Sequence, residues 1–189
     1  MLKLSENPPM LHPRVESLAQ INGTWWVAHT NPRNEKALAW DLADRDITYF
    51  LPMIQRTTFS GGRKRRGMMP LFSSYLFICG DEQTRYAVLR TDRVCNLIEV
   101  RDQQQLKTEL TAIERVLATN TPLTPCALPR IDDTVEVTKG PFRGIIGTVV
   151  RRQGVAHLVL TVSILGRGVE MEIEGDLLEI VAPRRASVP

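Results

Sequence analysis

The sequence predicts an α+β domain with helices packed on an antiparallel sheet, followed by a small all-β barrel. Over residues 23–118, β-prone segments alternate with helical ones, whereas residues 132–182 contain short alternating strands divided by glycines. A proline-rich stretch, residues 119–131, separates the two patterns and predicts a semi-extended linker. We predict that residues 1–22 form a flexible extension and that residues 183–189 form a tail.

The elements of the first domain follow from local composition and periodicity. A β-prone run at 24–30 predicts a strand, and an apolar stripe at helical spacing predicts a helix over about residues 32–45. Two further β-prone runs, 49–59 and 71–79, flank a glycine-bounded basic tip and predict a hairpin. Three segments complete the domain: a helix at 82–89, a strand at 94–100 and a helix at 103–118.

The second domain is predicted from a period of two. Val169, Met171 and Ile173 alternate with three glutamates, a pattern that favours a strand over an amphipathic helix. About five such short strands within about 50 residues predict a strongly bent barrel, in which glycines allow the corners.

Composition argues against several classes of function. Apolar runs stay shorter than the roughly 20 residues that cross a bilayer, and the N-terminus has no compact apolar stretch typical of a signal peptide. Cys79, Cys95 and Cys126 are scattered, without CxxC or Cys–His spacing, so we expect neither disulfides nor a metal site. The three histidines lie far apart, and no nucleophile elbow or nucleotide-binding loop occurs. We therefore expect no enzymatic activity and no cofactor.

Positive charge is concentrated at the predicted hairpin. No acidic residue lies between Asp46 and Asp81, whereas Arg56 and the whole run 63–66 are basic. A block of one sign attracts polyanions, although a solubilising loop would have the same composition.

Three stretches of the chain form a recognisable combination. The first is 25–27 followed by the helix from Pro32, and the second is 50–54 with 70–78 around the basic tip. The third, 133–149, is similar to the KOW motif, which ribosomal proteins also carry. In this order the three stretches resemble the NusG family of transcription factors. The resemblance implies an NGN domain followed by a KOW domain, an SH3-like barrel.

The resemblance implies that the first domain grips the clamp helices of the largest subunit of bacterial RNA polymerase. The implied contact residues are Phe72, Tyr75, Phe77, Trp26 and Pro52. Plain core packing is the alternative for the two phenylalanines. Arg85 and Tyr86 fall where specialised family members touch the opposite pincer of the polymerase, although this chain does not preserve the family's polar triplet there.

The resemblance also implies that the basic tip lies near upstream DNA. Its cations would neutralise phosphates without reading sequence; they are Arg63, Lys64, Arg65 and Arg66. Further candidates for contact with the non-template strand are Arg33, Lys36 and Arg93. Solvated surface charges are the alternative for Arg33 and Lys36.

In the family, the barrel recruits ribosomal protein S-ten or the Rho termination factor through a loop that here reads Ile164, Leu165, Gly166 and Arg167. The implied function is an elongation factor that suppresses pausing and modulates termination, acting as a monomer in the bacterial cytoplasm. Ser73-Ser74 and Leu165 depart from the family pattern and favour a specialised RfaH-like antitermination paralogue. The alternative is a KOW-type RNA- or ribosome-binding module that does not act on polymerase.

Overall fold

In a computed structural model, the described residues are 7–60, 63–127, 133–152, 155–174 and 177–182. The chain divides into two compact units, residues 1–103 and residues 104–189. The first unit contains an antiparallel sheet with helices, and the second contains an all-β region, so the predicted fold class is confirmed.

The described part of the first unit has the predicted strand at 24–30 and two helices, but four strands rather than the predicted two lie between these helices, and a short strand precedes residue 24. Its elements are β1 (Leu11–His12), β2 (Thr24–Thr30), α1 (Glu35–Ala43), β3 (Thr48–Phe50), β4 (Met53–Ser60), β5 (Arg63–Pro70), β6 (Tyr75–Gly80), α2 (Glu82–Leu89) and β7 (Val94–Glu99). The main sheet has the order β1-β3-β6-β2-β7 with antiparallel neighbours, and β4 pairs with β5 as a separate hairpin.

The predicted hairpin of 49–59 with 71–79 is wrong, because β4 pairs with β5, which contains the basic run, whereas β6 lies in the main sheet between β3 and β2. Two element boundaries also differ from the prediction for local steric reasons. Helix α1 begins at Glu35 rather than near Pro32, because Arg33 has a φ of 63°, which is incompatible with a right-handed helix. The predicted strand 49–59 divides at Leu51-Pro52, where Pro52 has no N–H to donate to a strand ladder. The Pro52 carbonyl instead accepts a hydrogen bond from the Leu71 N–H at 2.8 Å.

Residues 7–21 lie in the segment that we predicted to be flexible, yet they form hydrogen bonds with the rest of the first unit. Strand β1 pairs with β3. The Leu51 N–H donates to the Met10 carbonyl at 2.7 Å, and the Tyr49 hydroxyl donates to the Pro9 carbonyl at 3.0 Å. Leu18 is fully buried, so apolar burial adds to these hydrogen bonds.

A core of the first unit forms where the sheet meets α1 and α2. Ala28, Leu76 and Ile78 from the sheet belong to one buried cluster with Leu38 from α1 and Val88 from α2. Residues of opposite parity on the same strands are buried as well; they include Trp25, Val27 and Phe77. Alternate side chains point to opposite faces of a strand, so both faces of the central strands carry buried residues.

The second unit contains most of α3 (Gln103–Ala118) and the strands β8 (Thr124–Ala127), β9 (Asp133–Val137), β10 (Ile146–Arg152), β11 (Val155–Val162), β12 (Arg167–Glu172) and β13 (Leu178–Ala182). Their sheet has the order β13-β9-β10-β11-β12-β8. Strand β8 lies within the segment that we predicted to be a linker, and it pairs with β12. Gly147 allows close approach of β10 and β11, because a Cβ there would lie 2.7 Å from the Val159 carbonyl oxygen.

Candidate functional site

A tight turn leads into β6 and presents Tyr75 at its first position. The Tyr75 N–H donates to the Phe72 carbonyl at 3.1 Å, which closes the turn over Ser73 and Ser74. Tyr75 pairs with His29 across β6 and β2. The two rings stack with their centroids 5.1 Å apart, and both side chains are partly exposed. The pair therefore offers a flat aromatic surface with polar edges.

The other predicted clamp contacts are buried. Phe72 is 2% exposed and Phe77 is fully buried, and the two rings meet edge-to-face at 6.2 Å. Trp26 and Pro52 are also buried. Of the five residues predicted from the resemblance, Tyr75 is the one that is partly exposed in the described structure.

The sequence interpretation missed His29. Its side chain shares a sheet face with Trp25 and Val27, because all three have the same parity on β2. That parity was visible in the sequence, but the antiparallel register that sets His29 opposite Tyr75 was not.

The hairpin of β4 and β5 carries the basic residues on a two-stranded ribbon. Its register pairs Met53 with Pro70 at the base and Ser60 with Arg63 near the tip. Arg56 and Arg66 are exposed. The side chains of Arg63, Lys64 and Arg65 lie outside the described part of the structure, so their predicted phosphate contacts stay predictions.

Two of the other predicted nucleic-acid contacts are bonded within the first unit. The Lys36 ammonium donates to the Asn7 amide oxygen at 2.6 Å and to the Met68 carbonyl at 2.5 Å. Desolvation by burial lowers the pKa of Lys36, and the nearby Glu35 opposes that shift. Lys36 thus ties the N-terminal segment to β5.

The guanidinium of Arg93 is held in a similar way. Its Nε donates to the Asp41 carboxylate at 2.5 Å, and its Nη1 donates to the Asn34 side-chain oxygen at 3.2 Å. The hydrogen bond to Asp41 raises the pKa of Arg93. Arg33, by contrast, is exposed. The donors of Lys36 and Arg93 are already bonded within the unit, so the exposed Arg33 remains the better candidate of the three for contact with phosphate.

The predicted opposite-pincer residues lie on α2. Tyr86 is 60% exposed, and the Arg85 guanidinium carbon lies 5.7 Å from its ring centroid. Arg85 Nη1 also lies 3.5 Å from a Glu82 carboxylate oxygen. Helix α2 begins cleanly because the Asp81 carboxylate accepts from the Thr84 N–H at 2.8 Å.

The predicted docking loop of the barrel is a short 3₁₀ turn followed by β12. Ile164 and Leu165 are partly buried, whereas Gly166 and Arg167 are exposed. Gly166 has a φ of 59°, a left-handed conformation that glycine adopts without steric cost. At the start of the turn, the Ser163 N–H and hydroxyl donate to the Glu109 carboxylate at 3.0 and 2.6 Å.

The described residues contain no group of three or more His, Cys, Asp or Glu side chains placed to hold a metal ion. Within the same residues, no helix is long and apolar enough to cross a membrane.

The first unit is thus an α+β fold that carries an aromatic turn and a basic ribbon, and the second unit contains a six-stranded antiparallel sheet. The family model described as transcription termination factor nusG matches residues 23–117. The chain therefore belongs to the NusG family of transcription elongation factors, which are not enzymes.

Two solved structures are similar to the chain. Thermotoga maritima NusG, from a study of its domain interaction, matches with a TM-score of 0.44 and 15% identity, covering 84% of this chain and 97% of that chain. The MjSpt4:Spt5 complex in conformation B matches with a TM-score of 0.26 and 16% identity, covering 85% of this chain and 99% of that chain. A comparison with curated proteins finds no match.

Proposed function

We propose that this chain binds RNA polymerase through the Tyr75–His29 surface and acts there as an antitermination factor. The observation that carries the proposal is the partly exposed stack of Tyr75 on His29, at the end of a closed turn within the matched NusG region. Tyrosine is enriched at protein interfaces, because its ring buries apolar area while its hydroxyl keeps a hydrogen-bond partner. The proposed target is the helical clamp of the largest subunit.

The other four predicted clamp contacts differ from Tyr75 in their exposure. Phe72, Phe77, Trp26 and Pro52 are buried in the described conformation. Direct contact with a clamp helix would require these side chains to be uncovered. Tyr75 and His29 need no such change, so the proposal assigns the first contact to them.

The exposed hairpin arginines support a second, weaker contact. Arg56 and Arg66, together with the basic tip 63–65, would neutralise phosphates of upstream DNA. Such contacts position the protein without selecting a sequence. Arg33 adds a candidate contact to the non-template strand, and Arg85 and Tyr86 add one to the opposite pincer.

The barrel would recruit a second partner through residues 164–167. An apolar pair, Ile164 and Leu165, beside the exposed Arg167 suits a small docking site with a polar rim. Ribosomal protein S-ten and Rho are the two proposed partners.

The mechanism that we propose is differential binding. A factor that binds the closed, DNA-gripping clamp more tightly than the open clamp shifts polymerase from its paused towards its active state. The shift is limited by the difference between the two affinities, so it requires no chemistry from the factor itself.

The test compares the wild type with Tyr75→Ala for binding to purified core RNA polymerase. We expect Tyr75→Ala to weaken binding by at least about tenfold, as truncation of an interface aromatic does. Trp40→Ala is the matched control, because Trp40 is an exposed aromatic on α1 outside the proposed surface. It should bind like the wild type.

Two outcomes would contradict the proposal. If the wild type fails to bind polymerase even at low salt, the proposed function is rejected. If the same protein then bound ribosomal RNA, the alternative KOW-type RNA- or ribosome-binding module would take its place.

A further inference from the structure

The turn before β6 depends on a residue in a strained backbone conformation. Ser74 has a φ of 67°, in the left-handed region that glycine or asparagine adopts with least cost. Its side chain carries a Cβ, so the turn 72–75 needs outside support to keep this geometry. Tyr75 follows directly, so any change at Ser74 moves the first residue of the proposed binding surface.

Both backbone polar groups of Ser74 are bonded to buried residues. The Ser74 N–H donates to the Glu35 carboxylate at 2.6 Å, and the Ser74 carbonyl accepts from the Thr30 N–H at 2.9 Å. Glu35 is 7% exposed. A buried carboxylate is costly unless it is bonded, so its placement against a single turn requires an explanation.

The position of Glu35 lowers the cost of burying its charge. Glu35 is the first residue of α1, where the unpaired N–H groups and the helix dipole favour a negative charge. The carboxylate thus joins the start of α1 to the turn, and a charge-assisted bond to an N–H is stronger than a neutral one.

We propose that Glu35 is a positioning residue of the polymerase-binding surface. Glu35 holds Ser74 in the left-handed conformation, and the turn 72–75 thereby holds Tyr75 in its stack on His29. This inference rests on the proposed function, because the surface being positioned is the one assigned to polymerase. A residue that only stabilised the fold would affect stability without a specific link to Ser74.

The test uses the link between the two residues. Glu35→Ala should weaken binding to core RNA polymerase by about tenfold, the equivalent of one lost charged hydrogen bond. Glu35→Gln keeps an acceptor oxygen and should bind to within about threefold of the wild type. Ser74→Gly removes the backbone strain, so the double variant Glu35→Ala/Ser74→Gly should recover most of the lost affinity. Glu16→Ala, which removes an exposed glutamate, is the control for charge.

Each outcome supports or overturns the proposal. Glu35→Ala with wild-type affinity overturns it, and so does a folded double variant that stays as weak as Glu35→Ala. If Glu35→Ala does not fold, the affinity of the double variant for polymerase tests the proposal. If neither variant folds, Glu35 is needed for folding and the positioning role is overturned. Tyr75→Ala, measured in parallel, separates the two ideas. Lost binding in Tyr75→Ala without loss in Glu35→Ala rejects the positioning role alone, whereas an unbound wild type rejects the proposed function.

Discussion

The turn before β6 and the hairpin of β4 and β5 adjoin in the chain, yet they expose different chemistry. In the turn, Ser74 is bonded on both sides and Tyr75 stacks on His29, so a neutral aromatic surface has a fixed shape. In the hairpin, Arg56 and Arg66 are exposed on a two-stranded ribbon. A fixed shape suits recognition of one protein surface, whereas exposed cations suit a polyanion of any sequence.

The same comparison sorts the cations. Arg56 and Arg66 are exposed. Lys36 instead donates hydrogen bonds to Asn7 and Met68, and Arg93 donates to Asp41 and Asn34. Counting charges in the sequence gave these residues similar weight as nucleic-acid contacts. The structure separates a ribbon that can meet phosphate from side chains that hold elements of the first unit together.

The largest effect is expected from neutralising the hairpin. Arg56→Gln/Arg66→Gln should make the plot of log affinity for duplex DNA against log salt shallower by about 2, since each phosphate contact contributes about 0.9. The drop in affinity between about 50 and 200 mM salt then shrinks by about tenfold. Fluorescence anisotropy across a salt series measures this.

Arg101→Gln is the matched control for the hairpin, because Arg101 is exposed but lies outside it. Tyr75→Ala should leave the slope unchanged. If the double variant keeps the wild-type slope, the hairpin does not contact phosphate and the division between the two surfaces is lost.

A smaller effect is expected from Arg93→Gln. The change breaks the ion pair between Arg93 and Asp41. Both side chains are about one third exposed, so its loss should lower the free energy of unfolding by about 1 kcal/mol. Urea denaturation measures the loss, and the salt slope for DNA should not change. Arg33→Gln, at an exposed position, should leave stability unaffected. Weaker DNA binding at full stability would instead restore Arg93 as a nucleic-acid contact.

The smallest effect concerns α2, outside both surfaces. Hydrogen bonds from the Thr84 N–H and hydroxyl lower the pKa of Asp81. A lowered pKa in the folded state means that Asp81 stabilises the protein above its unfolded pKa of about 3.9, and that this contribution is lost as the pH falls through the lower folded value.

Thermal melts of the wild type and Asp81→Ala should therefore differ at pH 7 and converge in strong acid. A difference that stays constant with pH would exclude this origin. Asp81→Ala should still bind polymerase at neutral pH. This variant is therefore a control that separates a modest loss of stability from a specific effect of the variants in the turn before β6.

Local patterns in the sequence determined the fold class, the family and the ends of two helices. Helices 82–89 and 103–118 were predicted to the residue, and the second followed from an apolar stripe at helical spacing, which is a signal between near neighbours. The two-module order and the absence of a nucleophile or nucleotide motif were likewise readable along the chain. These features depend on residues a few positions apart.

Only the tertiary structure decided which predicted residues reach the surface. Phe72 and Phe77 are buried. His29 pairs with Tyr75 on the neighbouring strand, and Arg93 donates a hydrogen bond to Asp41, which lies 52 positions away in the sequence. Strand register and long-range ion pairs are set by how the whole sheet buries its apolar faces. A local pattern of residues specifies an element and its amphipathic sides, but the partners of each side chain come from elements that lie far away in the chain.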